Sequence, residues 1–117
     1  MADASPRIFN LLTDAQAPAK GERFDTLLNC RNAVIERIVS AAGVVSEVFV
    51  QPQDEWVMLV QGRAVLRIGA PGDTQDQVLG PGDHVFIPAG LPHQVIDTLA
   101  DTVWLAVHLH PEPNERP

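Results

Sequence analysis

The stretch Gly80-Pro81-Gly82-Asp83-His84-Val85-Phe86-Ile87-Pro88-Ala89-Gly90-Leu91-Pro92-His93 decides the fold. Gly-Pro-Gly-Asp is turn chemistry: proline fixes φ, glycine reaches positive φ, and the aspartate side chain caps free amides. The apolar run from His84 to Ile87 is too short for a helix and is fenced by proline and glycine on both sides, which predicts a short buried strand. Pro88 to Pro92 then bends the backbone and suits neither a strand nor a helix interior. His93 is thereby delivered to the start of a further strand, Val95-Ile96-Asp97.

Working outward, Thr102 to His108 reads as the last strand, and Pro111 to Pro117 as a polar, proline-rich tail with no reason to order. Upstream, Gln77-Val78-Leu79 is a short strand preceded by a turn, Gly69-Ala70-Pro71-Gly72-Asp73. Gln61-Gly62 is a two-residue hairpin signal joining an apolar strand, Glu55 to Val60, to a return strand, Arg63 to Ile68. Val44 to Val50 is β-branched and aromatic and is expected to be a strand, interrupted by Gln51-Pro52-Gln53-Asp54. Val34, Glu36 and Ile38 alternate with Ile35, Arg37 and Val39, a period-two strand whose charges are expected to form a solvated face and an edge or cross-strand pair. Glu22 to Leu28 fits a helical turn or an edge strand, and Ile8 to Leu12 an apolar arm. About eight short strands with glycine and proline turns and little helix signal describe an antiparallel sandwich or barrel.

At 117 residues the chain makes one domain. A net charge of −7, with the eight basic residues scattered, argues against nucleic acid or an anionic membrane surface as partner. No apolar stretch approaches a membrane span, Met1 to Arg7 lacks the pattern of a secretory leader, and the single Cys30 forms no internal disulfide. A cytoplasmic protein is expected, with Cys30 as a small, partly buried hydrophobe. No Gly-x-Ser-x-Gly turn and no phosphate-binding glycine loop is present, which sets aside nucleophilic hydrolases and nucleotide enzymes.

Two segments matter together. The first runs Gly43, five residues, Phe49-Val50-Gln51, three residues, Glu55, six residues, Gly62; the second runs Gly82, five residues, Pro88-Ala89-Gly90, two residues, His93, three residues, Asp97. Their spacing resembles the paired motifs of the cupin superfamily, Gly, five residues, His-x-His, three or four residues, Glu, six residues, Gly, and Gly, five residues, Pro-x-Gly, two residues, His, three residues, Asn. The resemblance covers about Ala33 to Leu109. It implies an all-β, antiparallel jelly-roll β-barrel, usually dimeric, in which both motifs line one pocket. It further implies a divalent metal, held by two histidines and a glutamate of the first motif and one histidine of the second. This chain has a degenerate first motif: the His-x-His pair is Phe49 and Gln51, the closing Asn is Asp97, and only Glu55 and His93 match as ligand types. The division expected is 1–32 as an arm and loop packing on the barrel, 33–110 as the barrel, and 111–117 as a disordered tail.

A histidine and a glutamate alone leave a metal largely to water. Gln51 adds a neutral amide oxygen suited to hard cations, and Phe49 adds nothing. His108 is a candidate substitute ligand, since Trp104, Ala106 and His108 share one strand face, although the sequence does not say which face is inside. In the purely structural alternative, Glu55 and His93 form a buried, mutually bonded pair. His84 and His110 read as solvated, and Trp56 and Trp104 as core or interface. The function expected is a small cupin binding a small-molecule ligand in its barrel pocket, with or without a divalent metal. A metal-dependent isomerase, lyase or oxygenase acting on an oxygen-rich substrate is the alternative, with Glu55 or His93 moving a proton. A non-catalytic dimerisation module, using exposed apolar strands and the Ile8–Leu12 arm in a homodimer, is the third.

Overall fold

In the structure, a computed structural model that describes residues 6–112, the chain forms eight strands and, among those residues, no helix. They are β1 (Glu22–Cys30), β2 (Ala33–Ser40), β3 (Asp54–Gln61), β4 (Ala64–Ile68), β5 (Gln75–Leu79), β6 (His84–Ile87), β7 (His93–Thr98) and β8 (Thr102–Leu109). A five-stranded sheet in the order β1-β2-β8-β3-β6 faces a three-stranded sheet in the order β5-β4-β7, and every pairing is antiparallel. This is the all-β jelly-roll barrel expected of the sequence. The readings of residues 1–5 as free of a secretory leader and of 113–117 as a disordered tail lie outside the described residues.

The core lies between the sheets because strand side chains alternate. Val57 and Leu59 of β3, Ala64 and Leu66 of β4, Leu79, Ile87, and Trp104 and Ala106 of β8 meet there and are buried. The Gly80–Asp83 turn folds as read. Gly80 N–H donates to Asp83 Oδ2 at 2.8 Å, and Gly82 N–H donates to Leu59 O at 2.8 Å, docking the turn onto β3.

Four expectations are corrected. Val44 to Val50 is not a strand: it is irregular chain beside β7, touching it at intervals through Ser46 N–H to Val95 O and one bridge, Phe49 to His93, rather than in a continuous ladder. Gln61-Gly62 is not a hairpin. The neighbours of β3 are β8 and β6, and the chain crosses there to the other sheet. Gly62 has φ +94°, and an added Cβ would lie 2.9 Å from Thr102 Cα, so the crossing needs glycine for both conformation and space. The strand β6 is an edge strand with His84 and Phe86 exposed, rather than a buried one, since only β3 flanks it. Cys30 ends an edge strand and is exposed.

The remaining ambiguity, Glu22 to Leu28, resolves as the edge strand β1. The arm before it is held through its backbone carbonyls by an arginine side chain: Arg37 Nη1 donates to Leu11 O at 2.8 Å and to Thr13 O at 2.7 Å, while Ile8 and Phe9 stay 95% and 82% exposed.

Candidate functional site

Strand alternation and register build one wall of the site. Along β3, Glu55, Val57 and Leu59 point inward, and the pairing with β8 sets His108 directly opposite Glu55. The pairing of β8 with β2 sets Glu36 opposite Ala106, one step along from His108 on the same face. The charge of Glu36 therefore lies inside the barrel, not on the solvated face expected of it; His108 Nε2 and Glu36 Oε1 are 2.8 Å apart. Its sequence neighbour Arg37 points outward and pairs with Asp25 of β1 at 2.8 Å.

The opposite wall comes from the two motif segments, which the backbone fastens to each other. Phe49 N–H donates to His93 O at 2.8 Å and His93 N–H to Phe49 O at 3.1 Å. Gly90 N–H donates to Gln51 O at 2.8 Å, and Ala89 N–H to Asp54 Oδ1 at 2.8 Å. The bends at Pro88 and Gly90 thus carry His93 back over the first segment. Gln51, Glu55, His93 and His108 all line one cavity of about 90 Å³, joined there by Glu22, Glu36, Phe24, Phe49 and Trp104.

Within it the polar groups differ sharply in how they are satisfied. Both ring nitrogens of His108 are engaged: Nε2–H donates to Glu36 Oε1 at 2.8 Å, and Nδ1 meets the Gln53 side-chain amide at 3.2 Å, accepting its N–H when the ring is neutral and donating to its oxygen, after the amide turns over, when the ring is protonated. His93 Nδ1 lies 3.0 Å from Leu91 O and donates to it, so Nε2 is left facing Glu55 Oε1 at 3.6 Å. Glu55 is buried, its side chain 9% exposed, and among the described residues it accepts no hydrogen bond; His93 is its ion-pair neighbour. Gln51 Oε1 is buried with no partner among the described residues. Two acceptors, the Glu55 carboxylate and Gln51 Oε1, therefore face one cavity without a hydrogen bond from the described residues, which is costly unless something in the cavity supplies a partner.

The titrations follow from these contacts. For His108 the Glu36 hydrogen bond holds the imidazolium form, outweighing burial, and the pKa lies above the ordinary 6.5. For His93 burial is the largest influence and lowers the pKa, but Glu55 beside Nε2 and the Leu91 carbonyl together leave it raised. Burial raises the pKa of Glu22 above 4.5, tempered by the hydrogen bond from Ser40. A histidine whose folded pKa is raised contributes stability that is present below about pH 6.5 and is lost as pH rises through the folded value. The stability advantage of the native chain over His108→Asn is therefore expected to shrink between pH 6 and 8, measured by urea unfolding at each pH. An advantage that grows with pH would contradict the His108–Glu36 pairing.

Of the residues singled out from sequence, Gln51, Glu55, His93 and His108 are brought to one cavity, and the face shared by Trp104, Ala106 and His108 is the inner one. His84 is exposed beside Trp56, ring centroids 5.3 Å apart, and Asp97 faces outward. Glu36 and Glu22 were not read as site residues. Alternation gave Glu36 an even chance of facing in, and only the register with β8 shows that it meets His108.

Residues 37–111 match the family described as the cupin domain. The chain belongs to the cupin family. Among solved structures, this cupin is similar to a Ralstonia eutropha protein with a provisional mannose-6-phosphate isomerase assignment, at 41% identity, covering 90% of this chain and 99% of that one with a TM-score of 0.79. It shares its fold with a cupin superfamily protein of Desulfitobacterium hafniense (20% identity, 94% of each chain, TM-score 0.70). It also shares it with HppE solved with cobalt(II) and its substrate (12% identity, 76% of this chain and 52% of that one, TM-score 0.67). Metal-bearing proteins thus occur within this fold. No curated protein matches the chain.

Among the described residues of this cupin, no group of three or more His, Cys, Asp or Glu is arranged to hold a metal ion. The acceptor set present is two such residues and an amide: Glu55, His93 and Gln51. Within that set, His93 and Glu55 suit a divalent cation, and Gln51 Oε1 is a buried, unpartnered oxygen lining the same cavity. The Nδ1–H of His93 is anchored on a backbone carbonyl, the arrangement that fixes a metal-ligating imidazole with its other nitrogen free, and the 3.6 Å between His93 Nε2 and Glu55 Oε1 is compatible with both touching one ion. His108 does not fit the set, because neither ring nitrogen is free.

Proposed function

We propose that this cupin binds a small molecule in the cavity between its sheets, and that Gln51, Glu55 and His93 hold a divalent cation at the inner end of that cavity. The observation that carries the reading is the Glu55 carboxylate, buried against the cavity with no hydrogen bond to any described residue. A fold-stabilising carboxylate at that depth would be expected to receive donors from the chain. A cavity ligand that brings positive charge supplies what the fold does not. A divalent ion bound there supplies a Lewis acid, leaving positions open for water or an oxygen-bearing ligand. The chain's own residues would orient it: Leu91 fixes the His93 ring, and Phe49 packs beside that ring with centroids 5.7 Å apart and adds no donor.

Calorimetric titration of chelator-treated protein with Mn2+ tests this. One ion per chain is expected, weakened about tenfold to a hundredfold by His93→Ala and unchanged by His84→Ala. Binding that survives His93→Ala undiminished would reject the site.

The reading includes a second copy of the chain as partner. The edge strand β1 carries Phe24, Leu27 and Leu28 about half exposed, beside Ile8 and Phe9 of the arm, and an edge strand paired antiparallel with its own copy is self-complementary. Light scattering is expected to give a dimer that Leu28→Glu shifts to monomer; a native monomer at all concentrations would reject it.

A further inference from the structure

The cavity contains a second polar feature that the paired motifs do not account for. Trp104 Nε1–H donates to Ser40 Oγ at 3.0 Å, and Ser40 Oγ–H donates to Glu22 Oε2 at 2.6 Å. Ser40 is fully buried and Trp104 is 3% exposed, so both intermediates of this chain are fixed by the core. Register places them in order, since Glu22 of β1 is opposite Ser40 of β2. The result is a carboxylate held in a set orientation at the cavity, with Oε1 left without a partner among the described residues.

The charge of the lining has one sign. Three carboxylates, Glu22, Glu36 and Glu55, and two imidazoles, His93 and His108, face it, and no lysine or arginine does. The two imidazoles stand against carboxylates of their own, His93 beside Glu55 and His108 beside Glu36, which leaves Glu22 as the lining carboxylate with no cationic neighbour among the described residues, whether or not a cation sits at Glu55. The aromatic side chains Phe24, Phe49 and Trp104 complete it. Carboxylate oxygens with aromatic surface beside them recognise organic ammonium groups. An anion such as a phosphate ester finds no cationic side chain there.

Resting on the pocket reading above, we infer that the ligand of this cupin is a small organic cation, a primary or secondary amine, whose ammonium is received by Glu22 on the side of the cavity away from Glu55 and His93. The volume, about 90 Å³, is that of roughly three liquid waters, which suits an ammonium and a few carbons. Glu22 is the specificity-determining residue, and Ser40 and Trp104 are positioning residues that aim it. The phosphorylated sugar suggested by the Ralstonia relative is not the ligand class this lining accepts.

The test is calorimetry of the chelator-treated full chain against three isosteres, n-butylammonium, 1-butanol and butyrate, with mannose 6-phosphate as a fourth probe and Mn2+ titrated separately. The expected ranking is butylammonium over butanol by tenfold or more, with no binding of butyrate or mannose 6-phosphate. Glu22→Gln, which keeps the acceptor for Ser40, should erase the preference for the ammonium while leaving Mn2+ affinity within twofold. Equal binding of butylammonium and butanol, or tighter binding of either anion, overturns the inference and leaves the pocket reading standing. Mn2+ binding with no response to any probe also overturns it alone. No response to Mn2+ or to any probe overturns both. Should Glu22→Gln fail to fold, the ranking by the native chain decides.

Discussion

Replacing Trp104 by alanine is expected to remove about 3–5 kcal/mol of stability, a large part of the roughly 5–15 kcal/mol that holds a domain of this size together. Trp104 sits in the middle of the inner face, opposite Ile38 on one side and Leu59 on the other, and packs against the facing sheet through Leu66 and its neighbours. Truncation leaves a cavity between the two sheets. It also strips Ser40 Oγ, which is fully buried, of the donor it accepts from. Urea unfolding should show the midpoint falling sharply. Trp104→Phe, which restores volume but not the N–H, should recover most of the loss, and a variant as stable as the native chain would mean that the two sheets do not share the core described.

Glu55→Gln should separate stability from binding. The substitution removes a buried charge that accepts no hydrogen bond, and His93 can discard its proton while still donating Nδ1–H to Leu91. The fold is therefore expected to be as stable as the native one or more stable by about 1 kcal/mol. Mn2+ affinity should fall about a hundredfold, since a carboxylate is the one charged donor of the set. If Glu55 instead served the fold through His93, Glu55→Gln would lower the unfolding midpoint, and thermal and urea unfolding beside calorimetry distinguish the two outcomes. Residues kept for binding at the expense of stability behave in this way.

The sequence made the fold legible where period and punctuation agreed. The alternation through Val34 to Val39, the Gly80–Asp83 turn and the bend from Pro88 to Pro92 each have a local cause, and each formed as that cause dictates. What failed was pairing. Gln61-Gly62 carries the local chemistry of a hairpin, but in a two-layer barrel a turn also serves to pass between sheets, and the close approach of Thr102 that makes Gly62 necessary is set by a residue forty positions away. Val44 to Val50 has strand-forming side chains, yet the chain there bends to bring Phe49 and Gln51 over the cavity, so tertiary position outweighs propensity.

The site divides along the same line. Glu55 and His93 were found through motif spacing, Gln51 through its place in that frame, and His108 through the face it shares with Trp104. Glu36 and Glu22 were not, because an acidic residue on an alternating strand reads as solvent-facing until the register names what lies opposite. That His108 is fully bonded, and so fails as a ligand, is equally a matter of two partners, Glu36 and Gln53, far from it in sequence.

At the centre of the proposed site is His93 Nε2, the nitrogen that would meet a cation beside Glu55. Nitrogen NMR of the histidine side chains, followed as Zn2+ is added to chelator-treated protein, reads this without reference to activity. The Nε2 resonance of His93 is predicted to move to the metal-bound position with one equivalent, while its Nδ1 stays protonated and both nitrogens of His108 stay in place. Displacement of the His108 signals instead, or no change at His93 with the ion in excess, would contradict it.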